Sequence, residues 1–156
     1  MAQLDVVKVW EDLHKTPELG FEEVQTAAYI AKALKDMGYE VTEGVGKTGV
    51  VAYARGQEPG PCVMLRADMD VLPFVIDGKK TAIHACGHDA HSAMLLAAAS
   101  ALVGKVKRGT LKLLFQPAEE TLKGALSVIE DGVLNDVDMA FGLHIRPVQD
   151  VADGQM

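Results

Sequence analysis

The hydrophobic period of this chain changes at Gly38, and from there on short, almost wholly apolar runs alternate with longer helical segments. Before Gly38, the stretch Asp5 to His14 carries Val6, Val9, Trp10 and Leu13 at helical spacing, and the stretch from about Glu22 to Met37 sets Ala27, Ile30, Ala31 and Leu34 on one face. Gly38 then stops the helix. Tyr39 to Thr42 and Gly49 to Ala54 read as short strands, and Gln57-Glu58-Pro59-Gly60 as a turn. Cys62-Val63-Met64-Leu65 leads a strand into Arg66-Ala67-Asp68. A helix rich in small residues is expected over Ala90 to Val103, with Asp89 as its N-cap. Lys107-Arg108-Gly109 turns into a strand over Leu111 to Phe115, followed by a helix over about Leu122 to Asp131 and a strand over Val137 to Leu143.

Strands separated by helices of this length pair in parallel through crossovers, and near-continuous apolar strands require cover on both faces. The expected fold is therefore α/β, a mixed, largely parallel sheet with helices on both faces. The early strands supply a hairpin or meander at one side. There is no repeat, low-complexity tract or linker, and 156 residues with 49% hydrophobic content suffice for one core.

A formal net charge of −7 argues against a nucleic-acid partner held through its phosphates. No apolar run is long enough to span a membrane, and the N-terminus lacks the basic start and apolar run of a signal peptide, so a cytoplasmic protein with no membrane partner is expected. Of the two cysteines, Cys62 sits in an apolar run and reads as a buried hydrophobe, whereas Cys86 sits among histidines. No disulfide framework is indicated.

Ligands of open α/β sheets bind beyond the carboxyl ends of the strands. Three expected strands end there in polar clusters: Asp68-Met69-Asp70, Gln116-Pro117-Ala118-Glu119-Glu120, and Gly142-Leu143-His144. A fourth cluster, His84-Ala85-Cys86-Gly87-His88-Asp89-Ala90-His91, opens the small-residue helix, so four of the five histidines fall in or at these clusters. Cys86-x-His88 lets one loop present a thiolate and an imidazole to the same ion, with Gly87 giving the backbone freedom to do so. Thiolate, imidazole and carboxylate together suit zinc, or manganese where more oxygens join.

The adjacent carboxylates Glu119 and Glu120 could divide two tasks of a metal hydrolase, binding the ion and accepting a proton from water. The competing reading of Glu119 is a cap on the following helix. Asp68 and Asp70 could point to one side of their strand end. Asp70 either orients a ligand imidazole or caps a turn before Pro73, with equal weight. His91, three residues after His88, reads as a neighbour of the site or a packing residue, and His14 as a cation at a helix end.

The clusters Arg66-Ala67-Asp68-Met69-Asp70-Val71-Leu72-Pro73, His84 to His91, Phe115-Gln116-Pro117-Ala118-Glu119-Glu120 and Leu143-His144 resemble the successive motifs of the M20 metallopeptidase family. The likeness is to its amidohydrolase branch of aminoacylases, hippurate hydrolases and auxin-conjugate hydrolases. His14-Lys15-Thr16-Pro17-Glu18-Leu19-Gly20-Phe21-Glu22-Glu23 resembles that branch as well. The resemblance implies two divalent metal ions, zinc or manganese, held by Cys86, His88, Glu120 and His144. It implies Glu119 as general base, Asp70 as the partner behind a ligand, and N-acyl amino acids or small peptides as substrates. It also implies a homo-oligomer, through a smaller inserted domain that dimerises and closes over substrate. Family members continue past the Leu-His motif into that domain and then to a further histidine ligand. Residues 1–156 are thus expected to form the N-terminal part of the catalytic domain, without the inserted domain. The stretch Phe74 to Ile83 is shorter than the family's connection and lacks an acidic residue after Leu-Pro, which bears on substrate preference. Two other functions compete: a cysteine amidase with Cys86 as nucleophile, and a catalytically silent metal-binding fragment.

Overall fold

The computed structural model describes residues 4–146. Asp5 caps α1 (Val6–His14), its carboxylate accepting from the amides of Val7 and Lys8. α2 (Val24–Asp36) ends where Gly38 takes φ 89°, left-handed and cheap only for glycine. β1 (Glu40–Val45), β2 (Gly49–Arg55), β3 (Glu58–Asp68), β4 (Leu72–Ile76) and β5 (Lys79–Ile83) follow. Then come α3 (His88–Leu102), β6 (Arg108–Gln116), α4 (Gly124–Glu130) and β7 (Met139–Gly142).

Five strands form one mixed sheet in the order β1-β2-β6-β3-β7. β1 with β2 and β2 with β6 are antiparallel, which is the early meander; β3 lies parallel to both β6 and β7. The parallel registers pair Asp68 with Gln116 and Arg66 with Gly142. The polar clusters after β3, β6 and β7 therefore emerge along one edge.

Both faces are covered, which explains the continuous apolar runs. On β2, Val50 and Ala52 face a core shared with Leu13, Ile30, Leu34 and Leu96 of α1 to α3, while Val51 faces the other way. On β6, Leu113 and Phe115 join the first core, and Leu114 joins Val45, Met64, Val128 and Val133 beneath α4. Each fully buried side chain of this size contributes about 1.5–3 kcal/mol. Lys112 interrupts the run and is buried too. Its Nζ donates to the carbonyl of Val133 (2.6 Å) and pairs with Asp136, so the charge is satisfied while it ties the loop after α4 to the sheet.

Three local expectations change. The turn expected at Gln57 to Gly60 is largely strand: Glu58 already pairs with Arg108, with a register shift before Cys62. Close backbone approach permits it, since a Cβ on Gly109 would meet the Pro61 carbonyl at 2.2 Å. Helix α3 starts at His88 rather than Ala90; left-handed Gly87 (φ 84°) precedes it, and Asp89 lies in the first turn instead of capping it. The connection Phe74 to Ile83 forms most of a separate antiparallel hairpin, β4–β5, turned by Asp77 and Gly78, both at positive φ. No helix among the described residues is long and apolar enough to cross a membrane.

Candidate metal centre

The extended backbone past β3 puts Asp68 and Asp70 on one side and drives Met69 into the interior; all three are buried. Asp70 then joins two elements. Its Oδ1 stands 3.0 Å from Nδ1 of His88 in the first turn of α3, and its Oδ2 accepts the Glu120 amide at 2.9 Å. With Nδ1 committed to Asp70, Nε2 of His88 is left buried without a hydrogen-bond partner. Around it stand Oδ2 of Asp68 at 3.6 Å and Oε atoms of Glu119 and Glu120 at 3.7 Å each. These distances are too long for hydrogen bonds.

Donor atoms of Cys86, His88 and Glu120 all lie within 4.8 Å of one another. Ligands of one tetrahedral zinc ion sit roughly 3.3–3.8 Å apart, so an orphaned imidazole nitrogen ringed at that spacing fits a cation. The Cys86 Sγ lies 3.5 Å from the Asp70 carbonyl, so the same strand end orients the thiol and the imidazole and holds the backbone that carries Glu120.

The charges respond to this crowding. Burial works against a charged His88, but Asp70, Cys86 and Asp68 overcome it and raise its pKa to about 10. Burial also pushes Glu120 upward, with Glu119 and Asp70 adding to the push and His88 opposing it. For Asp68 burial raises the pKa, yet His91, His88 and Arg66 together hold its carboxyl below the ordinary value.

Asp68, His88 and His91 form a second close group of possible donors. There, however, both nitrogens of His91 are engaged. Nδ1 lies 2.6 Å from Asp68, and Nε2 accepts the Ile145 amide at 2.9 Å, which puts the proton on Nδ1. His91 thus fastens the segment after β7 to α3. His144 lies on that segment, exposed, its ring 4.9 Å from the His91 ring and 6.2 Å from that of His88. It borders the cluster without joining either group of close donors. Arg66 completes the strand end, donating to Asp68 and to Gln116.

Glu119 does not cap a helix. Its backbone carbonyl accepts from the Leu122 amide, and α4 begins only at Gly124 without a side-chain cap. His84 parts from Cys86 and His88 despite their nearness in sequence. It is buried between His14, whose ring stacks on it at 5.5 Å, and Asp89 at 3.8 Å. His14 itself reaches Asp89 at 2.6 Å, so it is more than a helix-end cation. Nothing in the sequence announces the link of Asp68 to His91; the i, i+3 spacing of His88 and His91 signals only that the two rings share one face of α3.

Known proteins are similar to this chain over most of its length. The model of peptidase family M20/M25/M40 matches residues 64–155. A hippurate hydrolase of Campylobacter jejuni is 45% identical over 149 residues, covering 90% of this chain and 39% of the relative. An N-acetyl-L-cysteine deacetylase of Bacillus subtilis is 43% identical over 158 residues, covering 96% and 38%. The crystal structure of a dinuclear metal-binding M20 peptidase from Bacillus subtilis superposes with a TM-score of 0.83 at 39% identity, covering 91% of this chain and 42% of that one. The chain belongs to the M20/M25/M40 peptidase family. It spans about 40% of the length of these relatives.

Proposed function

We propose that this chain contributes the metal-binding part of a hydrolase that cuts amide bonds in N-acyl amino acids or small peptides. The observation that carries the reading is the buried, unpartnered Nε2 of His88, with Cys86 and Glu120 as neighbouring donors. In this reading Cys86, His88, Glu120 and His144 hold two divalent ions, zinc or manganese. The ions would supply Lewis-acid polarisation of an amide carbonyl and of a water.

The residues of the chain do the rest. Asp70 fixes the His88 tautomer, so that Nε2 carries the free lone pair once its proton is lost, and pins the backbone of Glu120. Glu119, partly exposed beside Nε2 of His88, accepts the proton of the attacking water and returns it to the leaving nitrogen. The relatives named above, a hippurate hydrolase and an N-acetyl-L-cysteine deacetylase, support the substrate class.

The test is hydrolysis of a simple N-acyl amino acid with zinc or manganese added and then chelated. Loss of activity on chelation supports the metal reading; activity that survives chelation and disappears on alkylation of Cys86 would favour a cysteine amidase. Self-association belongs to the same proposal. β7 ends the sheet among the described residues and leaves Met139, Phe141 and Leu143 exposed, an apolar edge of the kind that pairs with another copy. Sedimentation at several concentrations reads it out.

A further inference from the structure

The segment His14–Glu23 carries no role in the reading above, yet it touches the start of α3, the backbone past β3 and the loop after β6. His14 bonds Asp89 at the start of α3. Leu19 bridges Val71, and the Val71 amide donates to the Glu18 carbonyl (3.1 Å), one residue past Asp70. Gly20 lies against the loop after β6, where a Cβ would come within 2.9 Å of the Ala118 Cα and 3.0 Å of Thr121. Glu23 enters beneath the same loop.

Glu23 is fully buried and has no cationic partner among the described residues. Its Oε1 accepts the Ala118 amide at 2.7 Å, and its Oε2 accepts the Thr48 hydroxyl. Burying a carboxylate without a cation is costly, and burial accordingly pushes its pKa upward. Ala118 sits at φ 50°, a left-handed conformation that alanine rarely adopts. Two residues on, the Glu120 amide is held by Asp70. The amides on either side of Glu119 are therefore each clamped by a buried carboxylate, one from before α2 and one from the end of β3.

We propose that Glu23 is a positioning residue: by accepting the Ala118 amide it holds the left-handed turn that aims Glu119 and Glu120 at His88. A sharp reversal straight after β6 is what brings two consecutive carboxylates back over the strand ends. The Ala118 carbonyl is held from the other side by Thr121 and the Gly124 amide, so Glu23 is what fixes the amide face of this turn. Without that acceptor the unfavourable φ loses one of its supports, and the loop loosens beside Nε2 of His88. The buried carboxylate thus serves the site at a cost to the fold.

The proposal rests on the metal-centre reading for its binding readout, and hydrogen exchange supplies one that does not depend on it. Glu23→Met fills much the same space with no charge to desolvate and no oxygen to accept with. The lost acceptors leave two buried donors unpaired, a cost partly offset by the relieved desolvation, so both readouts are taken well below its melting temperature. Cobalt titration of this variant is expected to give an affinity about 10–100-fold weaker. The Ala118 and Glu120 amides are expected to exchange faster. Glu23→Gln keeps an acceptor for Ala118 and offers its amide group to Thr48, and it restores both readouts. A Glu23→Met chain with parental cobalt affinity and exchange overturns the proposal, and so does a Glu23→Gln chain as impaired as Glu23→Met. If the parent chain takes up no cobalt, the metal-centre reading fails, and the exchange comparison alone decides the role of Glu23.

Discussion

Two neighbours in the first turn of α3, His88 and Asp89, head two different clusters of histidine and carboxylate. Around His88 the groups converge. One nitrogen is fixed by Asp70 and the other faces three carboxylates at 3.6–3.7 Å. Around Asp89 they disperse. His14 and His84 stack side by side at 5.5 Å, and the one carboxylate near them bonds His14 and stands 3.8 Å from His84. Both clusters leave buried polar atoms unpartnered, including both ring nitrogens of His84. Only the first aims several donors at one point. Convergence of lone pairs, rather than the number of histidines, separates a centre for a cation from a tether between α1 and α3.

The largest effect expected on the converging side is in rate. On the function proposed above, Glu119→Gln should lower amide hydrolysis by about 10²–10⁴-fold with metal content intact. Turnover and bound metal measured side by side check this; lost metal would make Glu119 a ligand instead. Asp70→Asn comes next. An amide has one acceptor oxygen where Asp70 uses two, so either His88 or the Glu120 amide loses its partner. Metal affinity should fall about 10–100-fold by calorimetry.

A pH series sharpens the contrast. His88 holds its proton up to about 10 without metal, so binding must expel it. Affinity should climb by at least about tenfold per pH unit below that point, more steeply where the Cys86 thiol gives up its proton as well. In the metal-free chain the sign is fixed by the same raised value. The charged His88 stabilises fully below its ordinary value near 6.5, and that contribution is lost as pH rises through about 10. Melting curves of the parent and His88→Asn should therefore draw together at alkaline pH. The smallest effect lies on the dispersed side: His14→Ala, which breaks a half-exposed pair, should cost on the order of 1 kcal/mol and leave metal affinity unchanged.

Much of the site was legible because strand ends and helix starts concentrate it. Asp68-Met69-Asp70, Cys86-x-His88 and Glu119-Glu120 each lie within a few residues of a period change. The parallel register of β3 and β6 brings the first and last to one edge, and Asp70 draws the start of α3 to them. His84 was misleading because nearness in sequence says nothing about direction. The left-handed Gly87 precedes α3 and turns His88 inward, while His84 falls on the far side against α1. Glu23 was illegible for another reason. It lies 95 positions from Ala118, and no periodicity announces an interaction that distant. The hairpin β4–β5 was hidden by its lack of alternation: Phe74, Val75 and Ile76 are all exposed.

The distinction between the clusters is tested most directly with cobalt. The parent chain should develop the thiolate-to-metal absorption of a cysteine ligand on titration. The band should vanish in Cys86→Ser, weaken strongly in His88→Ala, and survive in His84→Ala. A band that persists in Cys86→Ser, or that is lost in His84→Ala while the protein stays folded, would contradict the assignment of the centre to Cys86, His88 and Glu120.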